Sequence, residues 1–382
     1  MRWHPGVSRH DGAMRVVVAP DKYAGTLTAV EAAEAIATGW RRQAPGDELT
    51  LCPMADGGPG FVDVLHTALG GELVAATVRG PLGQPVPAGV LVVDGTAYVE
   101  SAQACGLHLV PAAERDPEGA STYGVGELIG LAVDAGVDRI VVGLGGSATN
   151  DAGAGMWSAL GAAADGDLAA GSRGLEGVRT VDLTAARTRL RKSELVVASD
   201  VDNPLLGMFG ATNVYGPQKG LADERKAPVD AILDAFVVAT PGATPTDRRL
   251  ADAPGAGAAG GLGFGLLALG GTRTSGIDLV ADAVGLAGQA SRSDLVLTGE
   301  GAYDFSSRSG KVVYGVAEIA GHAVRPCVVL AGQVLVGARE MRAMGVESAY
   351  SVVDVVGRDA AFAEPAAGLE ALAQRVARTW SH

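Results

Sequence analysis

Short apolar runs bounded by glycine, proline or aspartate alternate along this chain with helix-patterned stretches. RVVVAP at 15–20 precedes TAVEAAEAIATGWRRQ, and DRIVVGL at 138–144 precedes NDAGAGMWSALGAA. SDLVLTGE at 293–300 precedes GKVVYGVAEIAG, and RPCVVLAGQ follows. Short apolar runs of this kind fit strands buried on both faces. Their alternation with helices predicts parallel βαβ units and an α/β fold. Residues 72 to 100 break the alternation: turn signals at Gly80-Pro81 and Asp94-Gly95 separate short strand-like stretches, which predicts an antiparallel meander. The last 90 residues return to regular alternation.

This pattern predicts a discontinuous Rossmann-like or flavodoxin-like parallel-sheet domain, formed by residues 14–71 and 290–382, with a mixed α/β domain inserted at 72–289. Residues 1–13, MRWHPGVSRHDGA, lack an apolar h-region and are expected to be a disordered extension before Met14.

In parallel α/β sheets, ligands sit beyond the carboxyl ends of strands. The first such end supplies Asp21, Lys22, Tyr23 and Thr26; the next supplies Asp56, Gly57 and Gly58. Ser147, Thr149, Asn150 and Asp151 follow VVGLGG; Asp200, Asp202 and Asn203 follow LVVAS; Glu300, Asp304 and, further on, Lys311 follow DLVLTG. Any one of these is an ordinary turn former or helix cap. Carboxylates gathered at one sheet edge, however, repel one another unless a cation sits among them, and Mg²⁺ with a nucleotide would supply it.

Composition narrows the classes. Of 382 residues, 48% are hydrophobic and 19% charged, enough apolar material for a large core. The net charge of −13 repels nucleic acid and anionic membrane surfaces, so neither is expected as a partner. An anionic substrate would need local cations or a metal. Cys52, Cys105 and Cys327 form no CxxC and read as buried small residues in a reducing, cytoplasmic compartment. No apolar run approaches the roughly 18 residues of a membrane span.

Gly143-x-Gly145-x-x-Ala148 formally matches a dinucleotide fingerprint, with Asp165 at about the right distance, and Gly255-x-Gly257-x-x-Gly260 is a second, poorer match. A nicotinamide-dependent oxidoreductase therefore stays open, as does an acidic small-molecule binding protein. The same glycine loop suits phosphate: glycines let backbone N–H groups approach anionic oxygens at a helix start. GxxxxGK[ST], GxSxG and HExxH are all absent.

The blocks APDKYAGTLTAVEAAEAI, MADGGPGFVDVL, GLGGSATNDAGAGMWSALG, SDVDNPLLGMFGATNVYGPQKG, GAGAAGGLGFGLLAL and LTGEGAYDFSSRSGKVVYGVA resemble, in this order, the bacterial glycerate kinase family of the two-domain type without a P-loop. The resemblance runs from about Met14 to the C-terminus. It implies ATP- and Mg²⁺-dependent phosphorylation of D-glycerate in a cleft between two α/β domains. A kinase for another small hydroxy acid is the alternative within that chemistry. Three positions depart from the family's pattern: Ala24 stands in a Lys slot, Pro59 in a Glu slot and Ala302 in an Arg slot. Lys22, two residues before Ala24, could reach the same anion from an extended segment.

Combined, these readings assign Gly145, Gly146, Ser147, Thr149 and Asn150 to phosphate. Asp200 and Asp202, alternating along one run, are assigned to Mg²⁺ or to proton acceptance, with Asp21 and Asp56 as second candidates. Lys22 would neutralise glycerate or the γ-phosphate. Asp56, Gly57, Gly58, Asn203, Glu300 and Lys311 are expected to line the substrate site. Lys219 ranks below them, because a loop lysine is usually solvated. The substrate is expected to be a small molecule, D-glycerate, and a homodimer stays open, since the sequence does not give the oligomeric state.

Overall fold

The computed structural model describes residues 13–23, 25–240, 250–305 and 312–381. The 1–12 segment, Ala24 and Lys311 lie outside these described residues. The chain divides into two compact units: Met1–Pro53, Gly285–Ser306 and Val316–His382 form one, and Met54–Val284 with Ser307–Gly315 forms the other. The sequence pattern put the first boundary after residue 71; here residues 54–71 group with the second unit.

The first unit holds a five-stranded, wholly parallel sheet. Its spatial order is Ser348–Ser351, Cys327–Ala331, Leu295–Thr298, Arg15–Val18, Glu48–Leu51. Numbered along this unit's own chain, that is the 2-1-3-4-5 order of flavodoxin-like sheets. The strand order reverses between Arg15–Val18 and Leu295–Thr298. The helix Ala29–Gln43 begins at a capping box, with Thr28 accepting from the Glu31 N–H and the Glu31 carboxylate accepting from Thr28 N–H. Its Ala32, Ala33, Ile36 and Trp40 share a core with Leu369, Leu372 and Val376 of the helix Pro365–Trp380. A side chain on Gly39 would collide with the backbone of Glu370, so glycine is what lets the two helices close.

The second unit is built on a six-stranded mixed sheet. Thr272–Thr274, Glu194–Ala198, Arg139–Gly143 and Thr96–Glu100 run parallel. Pro85–Val93 and Glu72–Arg79 continue antiparallel beyond them, which is the meander read from the sequence. Register pairs Glu100 with Gly143, Gly143 with Ala198 and Ala198 with Thr274. The four parallel strands therefore end in one row, and the loops after them leave from a single edge. A separate core fills this unit, with Trp157 packed on Phe236 and Phe264. Among the described residues, no helix is long and apolar enough to cross a membrane. Cys52, Cys105 and Cys327 are free and buried.

Candidate active site

At the reversal point of the first unit, two strand-end loops are stitched together. The Asp21 N–H donates to Gly299 O at 2.8 Å, and Thr298 Oγ1 donates to Ala19 O at 2.8 Å. Asp21 and Glu300 are both buried here, and both act electrostatically on the buried Tyr23 hydroxyl, whose ionisation is suppressed first by desolvation. That hydroxyl donates to Leu330 O. The Lys22 N–H donates to Asp21 Oδ1 at 2.7 Å, and its ammonium lies 3.4 Å from the same oxygen. The sequence-predicted Asp21, Lys22 and Glu300 thus fall at the one place in this sheet where its topology favours a ligand. A mainly apolar cavity of about 200 Å³ opens at the same strand ends, lined by Tyr23, Ala302, Gln333, Val352 and Phe362 among others.

In the second unit the aligned strand ends converge on the glycine loop. Gly57 and Gly58 press against Gly143, Gly145 and Ala198: a Cβ on Gly145 would lie 2.7 Å from the Gly58 Cα, and one on Gly57 2.7 Å from Ala198 O. Two glycine segments cross here with no room for side chains. Glu100, at the end of its strand and buried, accepts from Gly60 N–H at 3.1 Å and Val62 N–H at 3.2 Å. It thereby holds the start of the helix Phe61–Leu69 and the 56–60 loop against this unit, and its charge complements the helix N-terminus. Pro59, the departure in a Glu slot, packs toward Gly146, which sits at φ +61°.

The loop itself is donor-rich. The backbone N–H groups of Gly145, Gly146, Ser147, Thr149 and Asn150 donate to no described residue. The Ala148 N–H is the exception, bonding Cys105 O at 2.7 Å. A run of unused N–H groups around a left-handed glycine is an anion-binding concavity. Asn150 is buried; its Nδ2 donates to Thr212 Oγ1 at 3.0 Å, and its Oδ1 has no partner among the described residues. Asp151 has a different task. Fully buried, it accepts from Thr122 N–H and Oγ1, Gly153 N–H and Gly155 N–H, and so fixes the start of the helix Ala154–Ala159. Burial nevertheless keeps its carboxyl above the usual range.

Asp200 and Asp202 have unlike surroundings. Asp200 accepts from the Ile277 N–H at 3.0 Å, at the start of the helix Gly276–Ala283. Desolvation pushes its carboxyl up to about 6, with Asp56 and Asp278 adding repulsion against two lowering hydrogen bonds. A Cβ on Gly276 would touch the Asp56 main-chain carbonyl and lie 3.1 Å from Asp200 Oδ2, so the Asp56 backbone and the Asp200 carboxylate flank one small space. Asp202 is 81% exposed and pairs with Arg273 at 2.8 Å. Asn203 donates to Phe209 O and accepts from the Tyr215 hydroxyl, tying its own loop together. No group of three or more His, Cys, Asp or Glu able to hold a metal occurs among the described residues.

The burial of Lys219 corrects its reading as a solvated loop lysine. In the short turn Pro217–Lys219 it is 3% exposed, and its ammonium donates to Ser147 Oγ at 2.9 Å and Thr149 O at 2.6 Å. The GPQKG block carried the only signal of this, a lysine between turn-forming glycines. The dinucleotide reading loses its acidic partner: Asp165 is exposed and accepts from Arg179 and Thr180 N–H groups, closing a surface turn.

The model of the glycerate kinase family matches residues 16–381. A glycerate kinase of Bacillus subtilis is 40% identical over 372 residues, covering 95% of this chain and 97% of the relative. A glycerate 2-kinase of Escherichia coli K12 is 39% identical over 351 residues, covering 90% and 92%. A crystal structure from Salmonella typhimurium LT2, described as a glycerate kinase 2, superposes with a TM-score of 0.77 at 38% identity, covering 96% of this chain and 98% of its own. This chain is a kinase and belongs to the glycerate kinase family.

Proposed function

We propose that this protein transfers the γ-phosphoryl group of ATP to D-glycerate, with Mg²⁺, and that the 2-hydroxyl is the acceptor. Family membership supports the substrate, and the Escherichia coli relative's name supports the position. The observation that carries the phosphoryl-transfer reading is the row of unused N–H donors at Gly145–Asn150.

Phosphoryl transfer asks a protein chiefly for positioning and charge neutralisation. The 145–150 N–H groups would hold phosphoryl oxygens, and their donors are fixed in advance by the glycine crossing. Mg²⁺ commonly takes one or two carboxylates and completes its shell with water and phosphate. Asp56 and Asp200 fit that role, since the Asp56 charge acts on the half-buried Asp200 carboxyl and raises it, a repulsion that a cation would relieve. When bound, Mg²⁺ would neutralise charge on the transferred group. Asp202, already matched by Arg273, is the poorer ligand of the two strand-end aspartates. Lys22 would neutralise an anionic group of the substrate, with Asp21 holding its ammonium and Glu300 beside them. Asn203 keeps a structural part. A metabolic enzyme of this kind belongs in the cytoplasm. The direct test is ADP release that requires both D-glycerate and Mg²⁺; release independent of glycerate would refute the substrate assignment.

A further inference from the structure

Lys219 is a buried cation with no carboxylate in ion-pair contact among the described residues. Among the described residues its ammonium donates to Ser147 Oγ and Thr149 O alone. The charged or titratable groups that act on it are Cys105 and Asp151. Both favour its charged form, but burial outweighs them and neither is in ion-pair contact with it. The Cys105 thiol is held neutral by burial, at about 12, and the Asp151 carboxylate is enclosed by four donors of its own. Taking an ammonium out of water is costly unless a partner is supplied. A second unmet group lies in the same loop. One end of the Asn150 amide is buried without a partner; with the amide turned so that its oxygen accepts from the Thr212 hydroxyl, the free end is an NH2 donor that an anion satisfies. A charge and an amide, both left incomplete beside five unused N–H donors, mark a place completed by an anion.

We infer that Lys219 is a positioning residue for phosphoryl-group binding: its buried ammonium fixes Ser147 and Thr149, and it supplies the positive charge that a phosphoryl group on the Gly145–Asn150 loop neutralises. This rests on the assignment of that loop to phosphate. The phosphoryl group comes either from the nucleotide or from phosphoglycerate. Burial lowers the Lys219 ammonium to about 8, so in the free protein it is half neutral near that pH. An arriving anion favours the charged form and raises it again. Binding near pH 8 therefore takes up a proton, about half a proton per ligand at most.

The test is calorimetric titration of the whole protein with ADP and, separately, with 2-phosphoglycerate, at pH 8 in two buffers of different ionisation enthalpy. Lys219→Met, which removes the charge and keeps the length, is titrated alongside. Proton uptake in the wild type that is absent from Lys219→Met, with affinity at pH 7 reduced at least about tenfold in the variant, supports the inference. The ligand showing it identifies the source of the phosphoryl group. Binding in which neither ligand shows uptake beyond that of the variant overturns the inference, because a purely structural lysine would not titrate with the ligand. If Lys219→Met does not fold, the two-buffer comparison on the wild type decides alone. Failure to bind either ligand overturns the loop assignment as well, whereas a lack of glycerate turnover alongside normal proton-coupled ADP binding counts only against the substrate.

Discussion

Replacing Asp200 with Asn should make the protein more stable and nearly inactive. Asp200 is held above its ordinary 3.8, at about 6, because burial and the nearby Asp56 disfavour its charge. The folded state therefore holds this proton more tightly than the unfolded state. The stability it confers is complete below about pH 3.8 and is lost as pH rises through about 6. At pH 7 the ionised group opposes folding by at most about 3 kcal/mol, at 1.36 kcal/mol per pKa unit. Residual contact with solvent reduces that to about 1–2 kcal/mol. Asn keeps an oxygen for the Ile277 N–H and removes the charge. In metal-free buffer at pH 7, Asp200→Asn should melt a few degrees higher than wild type, at roughly 2–4 °C per kcal/mol for a domain of this size. The gap should shrink toward pH 4. Turnover should fall at least about 100-fold, more than the loss usual for an outer-shell metal partner, and Mg²⁺ should no longer shift the melting temperature. A variant that melts lower at pH 7 than wild type, with a gap indifferent to pH, would mean that the Asp200 charge does not oppose folding.

Asp202→Asn removes an exposed ion pair and should keep activity within about tenfold of wild type, its stability changing by about 1 kcal/mol or less; steady-state kinetics and melting check both. Lys22→Ala should raise KM for glycerate strongly while the fold persists, and adding Ala24→Lys should recover part of the loss; kinetics on the three proteins read this directly. Glu100→Ala leaves the Gly60 and Val62 N–H groups without their carboxylate and should cost about 2–3 kcal/mol in urea unfolding. Burial raises the thiols of Cys52 to about 11 and of Cys105 and Cys327 to about 12, so none should react with a thiol reagent at pH 8 until the protein is denatured.

The alternation of apolar runs made both sheets legible, because a strand buried on both faces needs consecutive apolar residues and little else. The meander at 72–100 announced itself through Asp94-Gly95, where Asp94 takes φ +45° and Gly95 φ +76°. What the pattern missed was where residues 54–71 belong. They follow a strand of the first unit, but Glu100, forty residues downstream, holds Gly60. A tether of that range leaves no periodic trace. Strand-end loops were legible as chemistry because topology sends them to one edge. The partners of individual side chains were not. Asp200 and Asp202 alternate on one extended run, yet one meets a helix N-terminus and the other Arg273. Lys219 looks like a solvated loop lysine until the fold buries it against Ser147 and Thr149.

Phosphorylation of glycerate at its 2-hydroxyl is the reaction on which the roles of Asp200, Lys22 and the Gly145–Asn150 loop depend. Incubating the purified protein with ATP, Mg²⁺ and D-glycerate and following the mixture by phosphorus NMR tests it directly. Phosphorylation at the 2-hydroxyl gives equal growth of ADP and 2-phosphoglycerate, both abolished by chelating the metal. Growth of 3-phosphoglycerate would contradict the assigned position, and ADP formed together with inorganic phosphate alone would contradict the claim itself.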